Sequence, residues 1–228
     1  MSNRVIVAID GPAGAGKSTI ARRVAARIGA VYIDTGAMYR AVALLALRSN
    51  TDLADAPRLE ALARAAGIRF EAGSSRVLLN GEDVSEAIRR PEVSPAASKV
   101  SAIPAVRRVL VETQRRMGAA GSVVMEGRDI GTVVFPTAEV KVFLDANPDV
   151  RAMRRVRELE QKGQAPAAAA VAQEIRERDQ RDSTRADSPL LRARDAVYLD
   201  TTELSLDQAE QAILEIVRAA DRKGDRRT

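Results

Sequence analysis

"GPAGAGKST", residues 11–19, stands between the apolar run "VIVAI" (5–9) and the helical stretch "IARRVAARIG" (20–29). Gly11, Gly16, Lys17 and Ser18 meet the spacing G-x-x-x-x-G-K-[ST], a loop that grips the phosphates of a nucleotide. The glycines let the backbone close on phosphate oxygens and turn successive N–H groups inward, while the following helix offers its positive end. Gly11, Pro12, Ala13, Gly14, Ala15, Gly16, Lys17, Ser18 and Thr19 are therefore the candidate ATP-binding residues. In this arrangement Lys17 reaches the β- and γ-phosphates and the Ser18 hydroxyl is the candidate Mg²⁺ ligand.

A β-branched strand, a Gly-rich turn and a helix form the first unit of a longer rhythm. "AVYID" (30–34) reads as a second strand and "AMYRAVALLALR" (37–48) as its helix. "SVVME" (122–126), "EVKVFLDA" (139–146) and "AVYLD" (196–200) supply further buried strands. Strands alternating with helices predict an α/β, P-loop three-layer fold whose parallel sheet is flanked by helices. Residues 67–88 break the rhythm: apolar and polar residues alternate around Asn80-Gly81, a two-residue hairpin signal. The expected division is a P-loop core over 1–66 and 89–220, a small antiparallel β insert over 67–88, and a frayed tail over 221–228.

Helical signals recur in the second half, first around Ala105 to Arg116. "NPDVRAMRRVRELEQKG" opens with Asn147 as N-cap and Pro148 at the first helical position, and Gly163 closes it. The Ala-rich "APAAAAVA" (165–172) reads as a loop leading into a charged helix, which makes 151–170 a short helical lid. Ser205 and Gln208 are spaced as a capping box before the last helix.

Composition narrows the chemistry. The 228 residues include no cysteine and no histidine, which removes disulfides, thiolate metal sites and imidazole-based triads. Carboxylates, Arg, Lys, hydroxyls and backbone dipoles remain, and phosphoryl transfer runs on these. The formal net charge is +5, which suits an anionic partner. Aromatic residues are 3% of the chain, too few for stacking single-stranded bases, so small phosphates are favoured over nucleic acid. No apolar stretch approaches the roughly 20 residues of a membrane span. With the first strand starting near Val5, a cytoplasmic chain without a leader or membrane association is expected, working as a monomer.

"DTGAMYR" (34–40) lies just past the second strand, at the edge where ligands bind in parallel sheets. Alone, "DTG" serves equally as a helix cap. The whole string resembles the acceptor segment of nucleoside monophosphate kinases, and its Met-Tyr-Arg version is similar to that of the bacterial cytidylate kinases. The likeness extends along nearly the whole chain: "GEDVS" (81–85), "AASKVSAIPAVR" (96–107), "EGRDIGTVVFP" (126–136) and "ERDQRDSTR" (177–185) follow in the family's order. Two positions depart from common patterns, Ser18 where many members carry Gly and Thr35 where some carry Ser.

The resemblance implies roles residue by residue. Ser98, Arg107 and Asp129 would face the cytosine edge, whose amino donor suits a carboxylate and whose O2 and N3 suit Arg or a hydroxyl. Arg40 and Arg128 would hold the acceptor phosphate, and Thr35 would be a further substrate-binding residue. Arg178 and Asp182 would touch the sugar, and Arg185, at i+7 from Arg178 on one helical face, the transferring phosphate. Lys17, Arg128, Arg185 and one lid arginine, Arg155 among Arg151, Arg154, Arg155 and Arg157, are the candidate catalytic residues. The implied reaction is phosphorylation of CMP, and of dCMP, by ATP·Mg²⁺. A kinase for UMP, AMP or another acceptor stays open from the residues themselves, as does a nucleic-acid-binding P-loop ATPase.

Overall fold

The computed structural model describes residues 4–71, 73–74, 76–161 and 163–224. Its main sheet has five parallel strands: β1 (Ile6–Asp10), β2 (Val31–Asp34), β6 (Val123–Gly127), β7 (Val140–Asp145) and β8 (Val197–Asp200). They run in the order β2-β6-β1-β7-β8. All five residues of β1 are buried, as a central strand covered on both faces requires. β1 pairs with β7 from Val7↔Val140 to Asp10↔Phe143, and β7 with β8 from Val142↔Val197 to Asp145↔Asp200.

Helices fill the remaining layers: α1 (Lys17–Ile28), α2 (Thr35–Arg48), α3 (Ala56–Ala65), α4 (Val93–Val100), α5 (Pro104–Ala119), α6 (Pro148–Gln161), α7 (Ala168–Thr184) and α8 (Leu206–Gly224). Two compact units divide the chain, one built on Ala25–Met125, the other on Val5–Val24 with the chain from Glu126 onward.

In the first unit, a separate antiparallel sheet holds β3 (Ile68–Phe70), β4 (Val77–Leu79) and β5 (Glu82–Asp83). Leu79 pairs with Glu82 across Asn80 and Gly81, whose φ values of 52° and 89° give the two left-handed residues of a type I′ turn. The Asn80 side chain also accepts from the Gly67 amide at 2.8 Å, fastening the hairpin to the start of β3. α2 begins where Asp34 accepts from the Ala37 amide at 2.9 Å, so this carboxylate caps a helix as well as ending a strand.

In the second unit, local signals act as the sequence suggests. Asn147 accepts from the Asp149 amide at 2.9 Å and opens α6, while Gly163 leaves it with φ +74°. Ser205 and Gln208 cap each other reciprocally, amide to side chain, at 2.9 and 3.2 Å. Arg23 on α1 bridges to Asp207 and Glu210 on α8.

Two boundaries differ from expectation. α7 starts at Ala168, inside the Ala-rich run read as a loop. Alanine is the strongest helix former, and Val171 and Ile175 on this turn of helix bury against Ala152, Val156 and Leu159 of α6. α8 likewise runs to Gly224, four residues into the stretch expected to fray; residues 225–228 lie outside the described residues.

β1 meets the loop at Gly11, where φ is +150° and a Cβ would stand 1.9 Å from the Leu144 carbonyl oxygen on β7. Backbone cannot yield there as a flexible side chain would. Gly11→Ala should therefore cost at least about 3 kcal/mol, or roughly 6–12 °C in Tm for a chain of this size, measured by thermal unfolding of the ligand-free protein.

Candidate active site

The loop after β1 leads into α1 at Lys17, and that lysine is buried. Its Nζ donates to the Pro12 carbonyl at 2.6 Å, so the ammonium curls back inside its own loop. Burial pushes the ammonium down to about 7, and the neighbouring Arg128 and Arg178 add to this against Glu126 and Asp10. A cation removed from water and crowded by two guanidinium groups is a place built for polyphosphate. Ser18 and Thr19, by contrast, are exposed at the start of α1. Ser18 is thus available to a Mg²⁺ ion, which ordinarily takes one or two protein oxygens alongside phosphates and water.

The loop's outer side is fixed by two residues that sequence reasoning did not single out for this purpose. Asp179 on α7 accepts from the Ala13 amide at 3.2 Å, and Arg151 on α6 donates to the Ala13 carbonyl at 2.9 Å. The two side chains also pair with each other, and the Arg151 Nε holds the Ala146 carbonyl at 3.0 Å. Arg151 is therefore a brace of the phosphate loop and not a mobile lid arginine. Arg154 is similarly engaged, with both Nη atoms on Thr201 at 3.0 and 2.6 Å. Arg155 pairs with Glu158 at 2.8 Å on the outer face of α6. Beside Gly16 lies a small hollow of about 100 Å³, lined by Ile20, Arg154, Thr201, Leu204, Leu206 and Ala209.

β6 ends at Gly127, and "RD" of "GRD" follows it. Asp129 is buried at the entrance of a π-helical turn, Ile130–Val134. Arg128 donates from Nε to Asp182 Oδ2 at 2.7 Å. Burial alone would raise the Asp182 carboxyl, yet Arg128, Arg178 and Arg185 outweigh it and hold it below the usual range. The structure thus brings Lys17, Arg128, Arg178, Asp182 and Arg185 into one electrostatic cluster. One expectation needs correcting: α7 ends at Thr184, so Arg185 is not on its helical face. Its backbone is extended, Nη2 donates to the Ser188 carbonyl at 2.7 Å, and Nη1 comes within 3.7 Å of Asp182 from that loop.

Within the first unit, Thr35 is the buried first residue of α2, and Arg40 lies one turn on. Arg40 Nη2 bonds Asp34 Oδ2 at 2.7 Å. Burial raises the Asp34 carboxyl, but Arg40, the Ala37 amide and Arg89 bring it below its ordinary value. The Arg40 Nε is buried without a hydrogen-bond partner, a donor that an incoming phosphate oxygen would satisfy. Arg107 on α5 is buried too, its guanidinium over the Tyr39 ring at 5.7 Å and its Nη1 on the Ser101 carbonyl at 3.3 Å. Ser98 on α4 accepts from the Ser101 hydroxyl through its carbonyl at 2.9 Å. Packing of α2 against α4 and α3 against α5 makes this grouping.

A nucleotide-gripping loop on a parallel sheet, ringed by arginines and free of imidazole, defines a P-loop phosphotransferase. The sequence profile of the family described as cytidylate kinase matches residues 7–219. The cytidylate kinase of Solibacter usitatus is 62% identical over 95% of this chain and 93% of its own length. That of Pelotomaculum thermopropionicum is 51% identical over 95% and 97%. A crystal structure of an uncharacterized protein from Eubacterium ventriosum shares the fold, with a TM-score of 0.52 at 13% identity over 95% of this chain and 99% of that one. The chain belongs to the cytidylate kinase family.

The depressed Lys17 fixes a sign. Its ionised form is disfavoured in the ligand-free protein, and a bound polyphosphate reverses this. At pH 8, ATP binding should take up close to about one proton, read by titration calorimetry in buffers of different ionisation enthalpy. Lys17→Met should abolish the uptake; an uptake unchanged by that substitution would place the titrating group elsewhere.

Proposed function

We propose that the chain transfers the γ-phosphoryl group of ATP·Mg²⁺ to CMP, and to dCMP, giving ADP and CDP or dCDP. The observation that carries the reaction is Lys17 buried inside the Gly-rich loop, with Arg128 and Arg178 close enough to act on its charge. Membership of the cytidylate kinase family carries the choice of acceptor.

An oxygen of the CMP phosphate attacks the γ-phosphorus in line, and the bond to the β–γ bridging oxygen breaks. The acceptor phosphate is already dianionic near pH 7, since its second ionisation falls at about 6. No general base is needed, which agrees with a chain lacking histidine. Catalysis then consists of positioning and charge neutralisation. Lys17 holds the β- and γ-phosphates; Arg128, Arg185 and the lid's Arg155 neutralise the moving phosphoryl group. Ser18 would hold a Mg²⁺ ion, which would supply further charge neutralisation.

Thr35, Arg40 and Arg128 receive the acceptor phosphate. Ser98, Arg107 and Asp129 read cytosine, the carboxylate accepting from the amino group that uracil lacks. Asp182 already has Arg128 and Arg185 as partners. Sugar contacts from Arg178 and Asp182 are then supplementary, and 2′-deoxyribose is tolerated. The absence of cysteine suits a reducing cytoplasm, and a monomer contains every residue the scheme uses.

An ADP-release assay with CMP, dCMP, UMP, AMP and GMP side by side tests this reading. CMP and dCMP should lead, and Lys17→Ala should slow turnover by about 1,000-fold. Asp129→Ala should shrink the CMP-over-UMP preference by at least about 100-fold. A preference that survives Asp129→Ala would contradict the base-reading scheme.

A further inference from the structure

Asp10 is the last residue of β1, next to Gly11, and it is buried. Burial is the largest influence and pushes the carboxyl up to about 6; nearby Lys17 attracts the charge while Asp129 repels it. A carboxylate in so poor a place needs a structural return. Its two oxygens are spent on one object: Oδ1 accepts from the Ile130 amide at 2.8 Å, and Oδ2 from the Gly131 amide at 2.7 Å. These are the first two N–H groups of the π-helical turn that follows Arg128 and Asp129. The turn's own bonds begin only at Val133, whose amide reaches the Asp129 carbonyl at 2.8 Å. The amides of 130 and 131 are therefore held by Asp10.

We propose that Asp10 is a positioning residue for the acceptor nucleotide, holding Arg128 and Asp129 in register with the phosphate loop through the Ile130 and Gly131 amides. One residue then ties two functions. Gly11 begins the donor grip immediately after it, and the base- and phosphate-reading pair hangs from its carboxylate. Gly131 completes the joint: a Cβ there would stand 3.2 Å from Lys141 Cδ and 3.4 Å from Asp10 Oδ2. A side chain there would be tight against the joint, with Lys141, anchored to Asp195 at 2.7 Å, packed behind it. The proposal rests on the assignment of Arg128 and Asp129 to CMP, so its test includes those residues.

Two substitutions attack the joint differently. Asp10→Asn turns one acceptor oxygen into a donor facing an N–H group, breaking one of the two bonds. Gly131→Ala leaves the charge in place and pushes the amide away. Each should raise the KM for CMP by about 10-fold or more, leave the KM for ATP within about 3-fold, and weaken the CMP-over-UMP preference. The double variant should be clearly less than additive. Lost Tm with both KM values unchanged, or ATP and CMP KM rising together, would overturn the proposal and leave Asp10 a purely structural residue. If Asp10→Asn does not fold, Gly131→Ala decides on the same criteria. Arg128→Ala and Asp129→Ala separate the two levels. If they impair CMP use while Asp10→Asn and Gly131→Ala do not, the positioning role fails and the acceptor assignment stands. If neither impairs CMP use, the acceptor assignment itself fails.

Discussion

A lysine ammonium buried in a Gly-rich loop is the constraint on which the rest of this molecule turns. Lys17 is held against the Pro12 carbonyl, out of water, with Arg128 and Arg178 close enough to disfavour its charge. Proteins do not ordinarily concentrate buried cations without a counter-charge. Here Glu126 and Asp10 lie on the other side of the balance, and the surrounding architecture keeps the loop in place. Gly11 lets β1 pass against the Leu144 carbonyl. Asp179 accepts from the Ala13 amide and Arg151 donates to the Ala13 carbonyl, bracing the loop through both groups. Asp182 balances Arg128 and Arg185 without reaching Lys17 itself.

The same economy of charge explains how a kinase works without histidine. The acceptor is a phosphate that ionises by itself, so no side chain must remove a proton. What remains is to bring two polyanions together, and guanidinium groups suit this because they stay ionised and bind oxygens in pairs. Arg151 and Arg154 spend their donors on backbone carbonyls and Thr201, which makes them parts of the frame.

Much of the fold was legible in the sequence because its signals are local. The β-branched strands, the Asn80-Gly81 turn, the Asn147 and Ser205 caps and the Gly-rich loop each depend on a few neighbouring residues. The phosphate loop was the clearest, since its spacing encodes its own geometry. Less legible were features that depend on distant partners. No local pattern marks Arg151 as a brace for Ala13, 138 positions away. Nor does any mark Asp10 as the support of amides at 130 and 131, 120 and 121 positions on. A lone carboxylate ending a fully buried strand was the one available hint. Arg185 followed helical spacing in sequence but lies beyond the end of α7, where its loop brings it to Asp182 by another route. Helix periodicity predicts a shared face only while the helix lasts.

The central claim is that the buried cation cluster moves a phosphoryl group from ATP to CMP and does not merely bind or hydrolyse the triphosphate. Phosphorus NMR of the protein with ATP, Mg²⁺ and CMP tests this most directly, because each phosphate position has its own resonance. The account predicts that CDP and ADP appear in equal amounts as ATP declines, with negligible inorganic phosphate. Loss of ATP to ADP and inorganic phosphate, with CMP untouched, would contradict it.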